Sequence, residues 1–152
     1  MTDRASPLVP DLDRLLCFAV HSAGFAFNRV YRRLLRRLGL TYPQYLVMLA
    51  LWREQGVAVS GLGERLSLDT NTLTPLLKRL EALGLVTRRR SEADERRVLV
   101  ALTEKGQALR SEAEGVTRCI AEASGLSNAD LVRLTDDIRA LRANLERAAA
   151  AQ

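Results

Sequence analysis

The 152-residue sequence has little of the residue types on which metal centres and disulfide frameworks depend: one histidine, His21, and two cysteines, Cys17 and Cys119. Three such donors in one chain are too few for an ordinary closed four-ligand zinc site, and neither metal nor cofactor is expected. A Cys-x-x-Cys pair and a thioredoxin-like βαβ alternation are both missing, which argues against a thiol peroxidase; the chain is expected not to be an enzyme. Long apolar runs are absent too. Stretches such as Leu46 to Trp52 are far too short to cross a bilayer, and the N-terminal segment carries Asp3, Asp11 and Asp13 where an export leader would be basic and then apolar. The expectation is a cytoplasmic protein with no membrane partner, whose thiols are free rather than joined in a constitutive disulfide.

What is present is a hydrophobic content of 47%, enough for a domain-sized core, so that one domain over residues 1–152 is expected. The net charge of +5, carried mostly by arginine, suits a polyanionic partner, although many basic proteins bind none.

Apolar residues from Asp11 to about Leu38 recur at helical spacing (Leu12, Leu15, Leu16, Ala19, Val20, Ala23, Phe27) and predict one long amphipathic helix ended by Gly39. Thr41 to Gln44 reads as a capping box opening an apolar core helix through Trp52, which stops near Gly56. A short helix after Ser60 ends near Ser67, and Asp69 caps the next, which places Leu73, Leu76, Leu77, Leu80 and Leu83 on one side before Gly84. Two short helices joined by a tight turn outline a helix-turn-helix. The period then changes: Leu85 to Arg90 and Arg97 to Leu102 are β-prone runs around a polar segment, a hairpin or wing. Thr103 caps a helix to about Ser124, and Ser127 to Asp130 opens a last one to about Arg147.

The fold class is therefore mainly α with a small β-hairpin. A winged helix-turn-helix occupies about 42–102, between dimerisation helices at about 11–38 and 104–148. Those outer helices are amphipathic yet cannot all pack on a small winged module, and burying them against a second copy, as intertwined N- and C-terminal helices of a homodimer, is the simplest solution.

In the helix after Asp69, Thr70, Asn71, Thr72, Thr74 and Lys78 face away from the leucines, either as groups that reach base edges and phosphates in a major groove or as an ordinary solvated face. The wing favours the first reading. Arg88, Arg89 and Arg90 enter it and Arg96 and Arg97 leave it, a density of guanidinium groups suited to phosphates and to a narrow minor groove. Asp94 lies two residues before Arg96, where it either holds and aims that guanidinium or forms an idle exposed pair.

The run Asp94-Glu-Arg96-Arg-Val-Leu-Val-Ala-Leu-Thr103 resembles the wing motif of MarR family transcription regulators. Over Leu16 to Phe18, Leu40 to Met48, Leu73 to Leu80 and Gly84 to Arg88 the chain is similar to the organic hydroperoxide resistance regulators of that family, of the two-cysteine type. The resemblance implies a single MarR-type domain and a homodimeric repressor on double-stranded, pseudo-palindromic operator DNA, with Arg96 in the minor groove and half-sites about 34 Å apart. It implies an organic hydroperoxide as inducer and Cys17 as the oxidised residue, supported by Tyr31 and Tyr42; on its residues alone Cys17 reads first as a small buried hydrophobe. Phe18, Phe25, Phe27 and Leu16 either wall an apolar peroxide pocket or belong to a dimer core. His21, four residues after Cys17 and where relatives commonly carry a tyrosine, either favours the thiolate as a cation or merely sits at the surface. Cys119 matches the resolving cysteine of the other subunit, or is inert. The competing function is a MarR-type repressor released by a phenolic or other small ligand, with no redox sensing.

Overall fold

Capping side chains open most of the helices in the computed structural model, which describes residues 11–151. Asp3, invoked above against a leader, lies outside the described residues. The predicted first helix is divided: Asp11 accepts the Asp13 N–H at 3.2 Å and opens a 3-10 turn, Leu12–Arg14, and Leu15 is extended (φ −82°, ψ 120°) before α1, Leu16–Leu35. A short Asx side chain satisfies its neighbour's N–H locally and so competes with helix at that point. A second 3-10 turn, Arg36–Leu38, closes on Gly39 at φ 65°, a conformation that glycine takes without strain.

The capping box is formed as predicted. Thr41 Oγ1 accepts the Gln44 N–H (3.4 Å) and Gln44 Oε1 accepts the Thr41 N–H (2.9 Å), opening α2, Tyr42–Arg53. This helix is the centre of the core: Tyr45, Val47, Met48 and Leu51 are all but fully buried. Around it pack Leu35 of α1, Leu62 of α3 (Val59–Leu66), and Leu73, Leu77 and Leu80 of α4 (Thr70–Ala82). Each such buried side chain stabilises the module by about 1.5–3 kcal/mol. The turn between α3 and α4 uses Ser67 in the left-handed region (φ 53°).

The wing is β2 (Val86–Arg90) antiparallel to β3 (Val98–Leu102), with Val86 opposite Leu102 and Arg90 opposite Val98. A strand not anticipated, β1 (Val57–Ala58), pairs with the other edge of β3, Val57 opposite Val100. Two residues carry no readable period.

Then come α5 (Glu104–Ser124) and α6 (Asn128–Ala150). Thr103 Oγ1 accepts the Gly106 N–H at 3.0 Å and Ser127 Oγ the Asp130 N–H at 3.1 Å, so both predicted caps are in place. The expected single domain comprises two compact units, one ending at Ser111 and one starting at Glu112. None of the described helices is long and apolar enough to cross a membrane.

Candidate DNA-reading and redox sites

Asp69 starts the reading helix. Its Oδ1 accepts the Thr72 N–H at 2.7 Å, and that bond holds the carboxyl below the usual carboxylate range. With the leucine side of α4 in the core, Thr70, Asn71, Thr72 and Lys78 are exposed and Thr74 is half-buried. Beside them a groove of about 340 Å³ is lined by Ser60 at the start of α3, by Thr70 and Thr74, and by Arg88, Arg96 and Arg97 of the wing. Hydroxyls and guanidinium groups on one concave surface fit a nucleic-acid backbone.

The wing arginines divide into two kinds. Arg89, Arg90, Arg96 and Arg97 are exposed and enter no ion pair among the described residues. Arg88 is clasped by Glu81 of α4: Oε2 accepts from Arg88 Nη2 (2.7 Å) and Nε (3.1 Å), and Oε1 accepts the Arg88 backbone N–H (3.2 Å). The guanidinium bonds hold the Glu81 carboxyl below its ordinary range.

Asp94 does not aim the Arg96 fork, as one of the two readings of the sequence had it. Its Oδ1 accepts the Arg96 backbone N–H (3.1 Å), and its carbonyl accepts the Arg97 N–H (2.9 Å). A short side chain reaches the amide two residues on more readily than the far end of an arginine, so Asp94 shapes the turn and leaves the guanidinium to solvent.

The C-terminal end of α4 is fastened to the start of α5. Thr103 Oγ1 donates to the Gly84 carbonyl (2.6 Å), Lys105 Nζ to that of Leu83 (2.8 Å), and the Thr103 N–H to that of Leu85 (3.0 Å). Trp52 Nε1 of α2 donates to the Gly106 carbonyl at 2.9 Å. A Cβ on Gly106 would lie 2.0 Å from the Leu85 oxygen, so only glycine permits this approach.

Cys17 stands apart from Tyr31 and Tyr42 within one protomer. Cys17 is a free, exposed thiol on α1, and His21 is exposed and edge-on to Phe25 with ring centroids 4.7 Å apart. Leu16, Phe25 and Phe27 are exposed and Phe18 is half-buried. Tyr31 and Tyr42 stack at 4.2 Å, half-buried; burial pushes Tyr31 up to about 12 and raises Tyr42, so both stay protonated hydroxyl donors at neutral pH. Yet Tyr31 lies on the same helix as Cys17, about 21 Å along its axis at 1.5 Å per residue, so one chain does not bring them together. Cys119 is a free, half-buried thiol on α5.

Two features escaped the sequence reading. Arg29, Arg32, Arg33, Arg36 and Arg37 are exposed at the end of α1 and in the turn after it, and none is ion-paired among the described residues; their three-and-four spacing was available as a signal. Glu81 offered no signal, since its partner is a strand residue.

A helix-turn-helix whose second helix presents polar side chains, followed by an arginine-rich wing on a three-stranded sheet, defines a winged-helix DNA-binding transcriptional regulator. Residues 29–113 match the family model described as Transcriptional regulator SarA/Rot. The chain is 47% identical to the HTH-type transcriptional regulator TtmR of Methylorubrum extorquens (88% of this chain, 69% of that one). It is 45% identical to the organic hydroperoxide resistance transcriptional regulator of Bacillus subtilis (81% and 84%). Reduced AbfR bound to DNA, a protein of Staphylococcus epidermidis, superposes with TM-score 0.73 at 34% identity over 86% of this chain and 91% of that one. AbfR has also been solved overoxidised on DNA and with a disulfide formed. The chain belongs to the MarR-type family of transcriptional regulators, the SarA/Rot and organic hydroperoxide regulators among them.

Proposed function

We propose that the protein is a homodimeric repressor that holds a pseudo-palindromic operator and lets go when an organic hydroperoxide oxidises Cys17. Thr70, Asn71, Thr72, Thr74 and Lys78 enter the major groove, and Arg90, Arg96 and Arg97 serve the wing contacts, with Arg96 in the minor groove. The carrying observation is the thiol of Cys17, exposed on α1 beside Leu16 (59% exposed) and Val20 (40%), where an apolar peroxide and a second subunit can both reach it.

The Cys17 thiolate attacks one peroxide oxygen; the O–O bond breaks, the sulfur becomes a sulfenic acid, and the other oxygen leaves and takes a proton as the alcohol. Phenols that stay protonated are donors suited to the thiolate. Since Tyr31 and Tyr42 stand far from Cys17 in their own chain, the pair that serves it belongs to the second copy. Sulfenic Cys17 then condenses with the Cys119 thiol of that copy, forming the S–S bond and releasing water. The α-carbons must come to about 5.5 Å, and the helix movement this requires changes the spacing of the two reading heads. The Bacillus subtilis relative's role and the redox forms of AbfR support this reading.

The test is a gel shift of the upstream intergenic DNA with reduced protein, cumene hydroperoxide-treated protein and Cys17→Ser. Reduced protein binds, treated protein releases, and Cys17→Ser stays bound after treatment. Release by the serine variant overturns the redox reading, and release by a small ligand that ignores Cys17→Ser transfers the function to ligand sensing. On a non-reducing gel, a covalent dimer lost in Cys119→Ser supports the relay, whereas monomer throughout removes Cys119 from it.

A further inference from the structure

We propose that Glu81 is a positioning residue for DNA reading, and that Arg88 is the wing's fastener to the recognition helix rather than a contact to DNA. This rests on the winged-helix reading of the site. Glu81 sits in the last turns of α4 and Arg88 in the middle of β2, and three hydrogen bonds of 2.7–3.2 Å join them, one of them to the β2 backbone itself. Arg88 shows 25% of its side chain to solvent, while the neighbouring Arg89 and Arg90 are exposed and enter no ion pair among the described residues. Both guanidinium donors converge on one carboxylate oxygen while the other oxygen takes the strand amide, and three such bonds fix angle as well as distance. Through it, the major-groove helix and the minor-groove wing keep one separation before DNA arrives, so no ordering has to happen on binding. The C-terminal side of α4 is held by Thr103 and Lys105 and the wing side by Glu81, which leaves the recognition helix two anchors on different elements.

The two roles open to Arg88 predict opposite signs. Were it a phosphate ligand, Glu81 would be a competing anion beside the duplex, and removing its charge would tighten binding. As a fastener, the pair loses its purpose when either member goes.

The experiment measures binding of the full-length protein to a duplex of about 30 base pairs, long enough for two half-sites one turn apart, selected by the wild type from random DNA. Affinity is followed against salt for Glu81→Gln, Arg88→Gln, the double variant, Arg88→Lys and Lys78→Gln. Glu81→Gln and Arg88→Gln each weaken binding about five- to tenfold, and the double variant loses no more than either. Arg88→Lys, which keeps the charge but not the fork, weakens it as well. The slope of log affinity against log salt stays at the wild-type value in all four, whereas Lys78→Gln lowers it by about 0.9 per protomer. Dimethyl sulfate footprints of the Glu81 and Arg88 variants lose protection of adenine N3 in the minor groove before that of guanine N7 in the major groove, a pattern that a general loss of folding does not produce. Tighter binding by Glu81→Gln, or a slope in Arg88→Gln reduced like that of Lys78→Gln, overturns the proposal; if Glu81→Gln does not fold, undiminished binding by Arg88→Lys overturns it. Failure of the winged-helix reading would look different, with Lys78→Gln and Arg96→Ala leaving affinity untouched.

Discussion

Helices α2 and α6 are built to opposite specifications. In α2, six of twelve residues are buried and both ends are hydrogen-bonded, whereas none of the 23 residues of α6 is buried, and Val132, Leu134, Ile138 and Leu145 stand 38–63% exposed. The exposed part of α1 resembles α6, with Leu16, Val20, Phe25 and Phe27 open to solvent. The difference teaches that the reading head satisfies itself within one chain, while the outer helices carry apolar faces that one chain leaves uncovered and that the second copy of the proposed homodimer would cover.

That contrast can be broken at several strengths. The largest effect is expected from Gly106→Ala. Its Cβ would meet the Leu85 oxygen at 2.0 Å, so α5 must shift off the wing, at a cost of about 3 kcal/mol or more by thermal or urea unfolding. An unchanged midpoint would mean that α5 is not seated where the Trp52 and Thr103 bonds place it. Next, Leu51→Ala in the core costs about 2–5 kcal/mol at any protein concentration. Leu145→Ala, 60% exposed, changes stability by about 0.5 kcal/mol or less in a dilute monomer but weakens self-association in sedimentation, and equal affinity would end the assignment of α6 to an interface. Trp52→Phe keeps the packing but leaves the Gly106 carbonyl without its indole donor, for a loss of about 1 kcal/mol.

The smallest effect concerns acid. Asp69 and Glu81 both have carboxyls held below their ordinary range in the folded chain, by the Thr72 N–H and by Arg88 respectively. Their stabilisation is present above the unfolded-state value, about pH 4, and is lost as the pH falls through the lower folded values. Melting temperature measured downward from pH 5 therefore drops less steeply in Asp69→Asn than in the wild type. Parallel curves would show that the Asp69 charge contributes nothing to the acid dependence.

Elements with a local cause were legible. Thr41 and Gln44, Asp69, Thr103 and Ser127 name their helix starts because each bonds an amide two or three residues away, and Gly39 and Gly84 mark ends at positive φ. The break at Leu15 in the predicted first helix was not legible, since the apolar period runs through it unbroken. The site followed the same division. Residues facing away from a leucine stripe and a cluster of wing arginines can be counted along the chain, but the partner each arginine takes cannot.

The winged helix-turn-helix and its polar reading face were settled by the chain's order of caps, periods and charges, because these act over a few residues. Only the tertiary structure decided that Arg88 turns inward to Glu81, that Gly106 must be glycine and that β1 completes the sheet. Each of those facts joins positions distant in sequence, and such a relation leaves no mark in local composition.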